Sequence, residues 1–207
     1  MLPRLLVIAD ATTAGDRLVS IVGDAVSLGA RGVVLRARTV ALADQLALAA
    51  ALHQVVDPVG GVLIVAGAAG LVARRPANRL CERDDPRPFG PAVHLSADAS
   101  FPNPRPALVG RSCHSADEVA RARAEGCDYA FVSPVYPTPS KPGYGPALGP
   151  AGLAALCPPG LPVYALGGVQ PSSVAECLAA GAYGVAVMGP ILRDPSLVPA
   201  YLKELPA

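Results

Sequence analysis

The sequence has no tryptophan, and its aromatic residues are six tyrosines and three phenylalanines among 207 residues. That is too few for the kind of stacking platform that binds single-stranded nucleic acid. The net charge is +1 and the chain carries no large basic block, whereas binding to a phosphate backbone needs clustered Lys and Arg. We therefore expect no nucleic-acid partner.

Long apolar runs and closely spaced cysteines are missing as well. The apolar run in the opening MLPRLLVIAD is too short for a signal peptide or a membrane span, so we expect no membrane association. The five cysteines are widely spaced and contain no CxxC pair, which argues against a zinc site or a disulfide framework. This spacing predicts reduced thiols, and therefore a cytoplasmic protein. The sequence has no cluster of carboxylates that would indicate a metal site, and we expect no cofactor.

Strand-like and helix-like segments alternate along the whole chain. The predicted strands are Leu5–Ala9, Gly32–Leu35, Val62–Val65, Ala92–Leu95, Ala107–Val109, Tyr129–Ser133, Pro162–Leu166 and Gly184–Val187. The predicted helices are Asp16–Leu28, Ala41–Val55, Ser115–Glu125, Pro150–Cys157, Pro171–Ala180 and Leu197–Leu205. Hydrophobic residues make up 52% of the chain, which suits strands that are buried on both faces.

Eight β/α units in a chain of this length predict an α/β fold of the (β/α)8 barrel type, with residues 1–207 forming a single domain. The alternative is an open doubly wound sheet, but its usual glycine-rich turn is not found after the first strand, where the sequence reads ADATTAGD. Residues 74–90 are charged and proline-rich, and they predict an irregular surface connection in place of a helix.

The last two predicted strands each end in glycine, within ALGGVQP at 165–171 and GVAVMGPIL at 184–192. The loops after strands 7 and 8 of a (β/α)8 barrel frequently bind a phosphate group. Gly167, Gly168 and Gly189 would let backbone N–H groups approach an anion, with a helix N-terminus behind them. These signals predict a phosphorylated small molecule as the ligand.

Other candidate residues follow earlier strands, where the functional groups of a barrel collect. His114 is the strongest candidate for a general acid/base, because imidazole titrates near neutral pH. Its alternative role is a hydrogen bond near the start of the next helix. His94 lies inside a short apolar strand, where we expect a structural role.

Two further sets of cations follow strands 2 and 6. Arg36 and Arg38 have the i, i+2 spacing that points both side chains into the mouth of a barrel, where they would bind a carboxylate or a phosphate. Surface ion pairing is the alternative. Lys141 lies in the Pro/Gly-rich stretch 134–150, which predicts either a lid over the ligand or merely a long connection.

Four motifs in combination resemble the thiamine phosphate synthase superfamily, which includes the TenI-type thiazole tautomerases. They are GRSCHS at 110–115, DYAFVSPVYPTPSKPG at 128–143, ALGGVQP at 165–171 and GVAVMGPIL at 184–192. The resemblance runs from LLVIAD to MGPIL and is weakest over residues 70–92. It implies a (β/α)8 barrel, a role in thiamine biosynthesis and a homodimer.

The superfamily has two main activities. Its synthases join hydroxymethylpyrimidine pyrophosphate to a thiazole phosphate, and the resemblance implies a magnesium ion held by an Asn-Asp pair after strand 3 and an acidic residue after strand 4. Here Ala66 and Gly67 stand at the first two positions and Ala99 at the third, next to Asp98. Without magnesium the pyrophosphate leaving group would lose its main charge stabilisation.

The tautomerases resemble this chain in an Arg-x-Arg after strand 2, a glycine after strand 3 and GRS-x-HS after strand 5. The resemblance implies aromatisation of a 2-carboxythiazole phosphate tautomer, in which His114 moves one proton and neither metal nor cofactor is needed. The phosphate would bind to Gly167, Gly168, Met188 and Gly189. The remaining substrate-binding residues would be Arg36, Arg38, Ser112, Thr138 and Lys141.

The leading hypothesis from the sequence is therefore an isomerase, a TenI-like thiazole tautomerase that acts on a phosphorylated thiazole. The first alternative is a transferase, a divergent thiamine phosphate synthase that uses Asp98 for magnesium. Lys141 and the TPS before it favour this alternative. The second alternative is a barrel without catalytic activity that binds a thiamine intermediate or regulates a partner.

Overall fold

The structure, a computed structural model, describes residues 2–67, 92–138 and 146–206. Within these ranges eight parallel strands close into a barrel in chain order, with the last strand paired to the first. The strands are β1 Leu5–Asp10, β2 Gly32–Arg36, β3 Val62–Ala66, β4 Ala92–Leu95, β5 Leu108–Cys113, β6 Tyr129–Val132, β7 Val163–Leu166 and β8 Gly184–Val187. The predicted (β/α)8 barrel is confirmed. The predicted connection at 74–90 lies outside the described residues.

The α-helices of the described ranges are α1 Ala11–Ala14, α2 Leu18–Ser27, α3 Leu42–Val56, α4 Ala116–Ala124, α5 Gly149–Ala155, α6 Val174–Ala179, α7 Gly189–Arg193 and α8 Val198–Glu204. None of them has the length and apolar content needed to cross a membrane. Ser115 caps the helix after β5, because its hydroxyl accepts a hydrogen bond from the Glu118 N–H.

The first predicted helix, Asp16–Leu28, begins earlier and is interrupted. The Asp10 carboxylate caps α1 by accepting hydrogen bonds at 2.8 Å from both the N–H and the hydroxyl of Thr13. Gly15 then takes a φ of +56°, which ends α1 before a short turn leads into α2. The chain therefore turns into its first helix directly at the end of β1.

Strand β5 extends four residues beyond its predicted end at Val109. Its neighbours on both sides fix this extension, since Arg111 pairs with Leu95 of β4 and with Ala130 of β6. Alternation along the strand then directs Arg111 away from the barrel axis. Its buried guanidinium donates to the carbonyl groups of Ser96, Ala97 and Ala99 and forms an ion pair with Glu125. Arg111 therefore connects β5 to the segment after β4 and to the end of α4.

Inward-facing side chains fill the barrel with a core rich in aromatic rings. Tyr129 and Phe131 of β6 pack against Tyr164 of β7, with ring centroids 5.6 and 6.0 Å apart. The Tyr129 ring lies over Gly110, its partner in the register with β5, and a Cβ there would overlap the ring. A small residue on one strand thus accommodates a large one on the next, which closes the barrel floor beneath the mouth.

Candidate functional site

A cavity open to solvent occupies the mouth at the carboxyl ends of the strands. Most of the predicted binding residues line it together: Arg36, Arg38, Ser112, Thr138, Gly167, Gly168, Met188 and Gly189. Lys141 lies outside the described residues. The barrel therefore gathers residues from five of its strand ends around one space, as expected for a ligand site in this fold.

The glycines after β7 and β8 form one wall of the mouth. Gly167 and Gly168 have φ values of +94° and +68°, and they pack directly against the chain after β6. A Cβ on Gly168 would lie 2.5 Å from the Pro137 carbonyl oxygen. Gly189 begins α7, where the first N–H groups have no partner within the helix. Backbone groups of three glycines are thus exposed to the cavity side by side.

The arginines after β2 lie beside this wall, since only β1 separates β2 from β8 in the barrel. Nε of Arg36 is 3.4 Å from Oδ2 of the buried Asp10, and Nη1 of Arg36 is 3.7 Å from the sulfur of Met188. The first contact is an ion pair, which the sequence left open as an alternative. Arg38 also lines the mouth and is exposed. In the described part of the chain no ion pair to a carboxylate is recorded for Arg38.

Sequence reasoning missed Arg193, which also lines the cavity. It stands four residues after Gly189, and this spacing puts two residues on the same face of a helix. A Cβ on Gly189 would lie 2.9 Å from Nη1 of Arg193, so the guanidinium lies directly over the glycine backbone. The i, i+4 spacing in GPILR was the available signal for this residue.

His94 forms part of the cavity floor in a buried hydrogen-bond network. Its Nδ1 is 3.0 Å from the Tyr129 hydroxyl and its Nε2 is 2.9 Å from the Ser112 hydroxyl. The Tyr129 hydroxyl is fully buried and must donate its hydrogen, so Nδ1 is the acceptor. Nε2–H then donates to Ser112, which leaves the Ser112 hydrogen available to a ligand in the mouth.

The charge state of His94 follows from its surroundings. Burial, followed by the charges of Arg38 and Arg111, lowers the pKa of His94 from 6.5 to about 3. The imidazole is therefore neutral at physiological pH and serves as a fixed hydrogen-bonding group. This agrees with the structural role predicted for it, although the ring also borders the ligand space.

A depressed histidine pKa makes folding stability depend on pH. Between pH 6.5 and about 3 the unfolded chain binds a proton at position 94 that the folded chain does not bind. We expect the free energy of unfolding to fall as the pH drops through this window, and His94→Gln to remove part of this slope. Urea unfolding of both proteins at pH 7 and pH 4.5 measures the change in the free energy of unfolding between the two pH values. An equal change in both proteins would contradict the lowered pKa of His94.

His114 follows β5 and forms hydrogen bonds through both its ring and its backbone N–H. Its Nδ1 donates to the Ser133 carbonyl oxygen at 2.6 Å, and its N–H donates to the Glu118 carboxylate at 2.5 Å. The cavity is lined by Ser133 and Ser112 but not by His114 itself. The structure thus gives His114 the contacts near the start of α4 that the sequence offered as its alternative role.

The described residues do not fit a magnesium site. Ala66 presents a methyl group to the mouth, and Gly67 has no side chain. Asp98 is exposed and does not line the cavity, and a hydrogen bond from Ser96 lowers its pKa. Across residues 2–67, 92–138 and 146–206 no group of three His, Cys, Asp or Glu side chains is placed to hold a metal.

Comparison with known proteins agrees with this architecture. The family described as thiamine monophosphate synthase matches residues 5–191. A Geobacter sulfurreducens protein, provisionally named a thiamine-phosphate synthase, is 35% identical over 92% of this chain and 87% of its own. The thiamine-phosphate synthase of Methanoculleus marisnigri is 31% identical over 80% of this chain and 76% of its own. Thiamine phosphate pyrophosphorylase from Pyrococcus furiosus has the same fold, with a TM-score of 0.77 at 20% identity over 97% of this chain and 94% of its own.

These relatives overturn the leading hypothesis from the sequence. The prediction of a thiazole tautomerase, and with it of an isomerase, is wrong, because the similar proteins carry the name of a synthase, which is a transferase. The proton shuttle that the tautomerase hypothesis implied falls with it, and the general acid/base role of His114 stays a prediction. The resemblance to the superfamily is confirmed, and the chain belongs to the thiamine monophosphate synthase family.

Proposed function

We propose that this chain is a thiamine-phosphate synthase, a transferase that joins hydroxymethylpyrimidine pyrophosphate to a thiazole phosphate. Relatives of that name, which align with most of the chain, support the proposal. The observation that carries it is a single mouth lined by two groups of residues suited to anions, the glycine loops after β7 and β8 and the arginines after β2. Such a mouth suits two phosphorylated substrates that react with each other.

The glycine wall is the proposed site for the monophosphate of the thiazole. Gly167, Gly168 and Gly189 let the anion approach the backbone, and Arg193 lies over Gly189 with its guanidinium. Phosphate-binding groups after the last two strands are common in barrels of this type. The thiazole ring would then extend from this wall towards the centre of the mouth.

The other group of residues suits the diphosphate of the pyrimidine substrate. Arg36 and Arg38 supply guanidinium groups, and the Ser112 hydroxyl supplies a neutral donor whose direction is set by His94. In the reaction the thiazole nitrogen forms a bond to the exocyclic carbon of the pyrimidine. The bond from this carbon to the diphosphate oxygen breaks, and pyrophosphate leaves with the electron pair.

Proximity is the main contribution that such a mouth makes. Two anions that repel each other in water are held by two groups of residues in the same mouth, so that the reacting atoms meet there. The apolar floor built on Phe131 and the neutral His94 adds no charge beneath the reacting atoms. Cations at the rim then favour departure of the negative leaving group.

Arg193→Gln tests the monophosphate site. We expect the KM for the thiazole phosphate to rise about 10- to 100-fold, because one charge-assisted hydrogen bond contributes about 1.5–3 kcal/mol. The KM for the pyrimidine diphosphate should change little. Steady-state formation of thiamine phosphate, measured by mass spectrometry, gives both values. The exposed Arg123 on the outer helix α4 provides the matched control, Arg123→Gln.

Two results would contradict the proposal. Unchanged KM values in Arg193→Gln would remove this arginine from the site. Binding of both substrates to the unmodified protein without any product would instead indicate the barrel without catalytic activity. The homodimer and the cytoplasmic location stay predictions.

A further inference from the structure

The charged side chains that line the mouth in the described residues are all positive. Three guanidinium groups line it in the described residues, those of Arg36, Arg38 and Arg193, and no carboxylate does. The carboxylate of Asp10 forms an ion pair with Arg36. Arg38 and Arg193 have no carboxylate partner among the ion pairs of the described residues. Among the described residues an anionic ligand therefore meets two guanidinium groups, those of Arg38 and Arg193, that no carboxylate offsets.

The position of Arg38 relative to the ends of β3 and β4 bears on how the mouth binds an anion. It follows β2, and its charge acts on His94 of β4. The strand between them is β3, whose end carries Ala66 and Gly67. Among the described residues, a Cβ on Gly67 would meet no atom within 4 Å. Arg38 therefore lines the same cavity as Ala66, one of the two positions after β3 where the superfamily resemblance implies metal ligands.

We propose that Arg36 and Arg38 bind the diphosphate of the pyrimidine substrate and neutralise its charge without a divalent cation. This inference rests on the proposed function and concerns the same site. It follows from the chemistry of the lining, since magnesium is held in proteins by carboxylate and carbonyl oxygens. The described lining instead offers guanidinium groups.

Guanidinium groups suit this task physically. Each presents several N–H donors in one plane, which matches two phosphate oxygens at once, and stays charged at every physiological pH. When the carbon–oxygen bond breaks, the electron pair moves onto the departing pyrophosphate. The arginines stabilise this added charge through hydrogen bonds that already exist, and no proton is transferred.

The two arginines have different roles in this arrangement. Arg36 is held by Asp10 and by contact with Met188, so it is oriented before the ligand arrives. Arg38 is exposed and contributes a full charge. We therefore expect Arg38 to account for most of the affinity for a diphosphate, and Arg36 to set its position.

Binding of inorganic pyrophosphate, measured by isothermal titration calorimetry, tests the inference apart from turnover. The intact protein should bind pyrophosphate in EDTA with an affinity similar to that in millimolar Mg²⁺. Arg38→Gln should bind it at least about tenfold more weakly in EDTA, as expected for a lost charge-assisted hydrogen bond. Arg123→Gln on α4 is the matched control and should bind like the unmodified protein.

The outcomes separate this inference from the proposed function. Binding that needs Mg²⁺, no binding under either condition, or equal affinities of Arg38→Gln and Arg123→Gln would overturn the inference. Binding in EDTA that Arg38→Gln weakens would support it, even for a protein that forms no thiamine phosphate. In that case only the proposed reaction would fail.

Discussion

Gly110→Ala is expected to destabilise the barrel by about 3 kcal/mol, the upper part of the range for an overpacked core. The added methyl group would overlap the Tyr129 ring, which is fully buried. The free energy of unfolding should fall accordingly, and urea denaturation followed by circular dichroism measures it.

Two further variants make this prediction specific. Gly23→Ala in α2 meets no atom within 4 Å, so it should stabilise the protein by about 0.5–1 kcal/mol through helix propensity alone. Tyr129→Leu removes the outer ring atoms, so Gly110→Ala should cost less in that background than in the unmodified protein. An equal cost in both backgrounds would show that the ring does not fill the space over Gly110.

Gly168→Ala is expected to lower kcat/KM for the thiazole phosphate about 100-fold, which is the effect of a misplacement of about 1 Å in a binding group. Its φ of +68° is unfavourable for alanine, and the Cβ would lie 2.5 Å from the Pro137 carbonyl oxygen. The wall would have to move away from the chain after β6, and the phosphate-binding backbone would move with it.

Gly160→Ala provides the control for backbone strain. Gly160 has a φ of +84° in the loop before β7, and a Cβ there meets nothing within 4 Å. Both variants should lose about 1–2 kcal/mol of stability from the left-handed conformation. Only Gly168→Ala should lose activity, and equal kinetic parameters in the two variants would contradict the role assigned to the glycine wall.

The local sequence was sufficient to predict the barrel. Buried parallel strands read as short apolar runs, and β4 and β8 have the predicted bounds. The end of β5 was misplaced because Arg111 and Ser112 look like loop residues, while the pairing that holds them comes from Leu95 and Ala130, which are distant in the sequence. Tertiary pairing, which the local sequence does not encode, decides such boundaries.

The candidate site was predicted in outline but not in its chemistry. Glycines and arginines at strand ends could be placed from the barrel rule alone, whereas Arg193 needed the spacing within α7. The reaction was misassigned because Ala66 and Gly67 were interpreted as the loss of the transferase. That interpretation assumed that only a metal ion can neutralise a diphosphate, and the arginine-lined mouth offers another cation.

A single-turnover experiment tests the central claim most directly, namely that one mouth joins two phosphorylated substrates. The purified protein, in excess, is mixed with hydroxymethylpyrimidine pyrophosphate and the thiazole phosphate, and both products are quantified over time. The account predicts one thiamine phosphate and one pyrophosphate for each diphosphate consumed. Pyrophosphate release without thiamine phosphate, or no reaction at all, would contradict it.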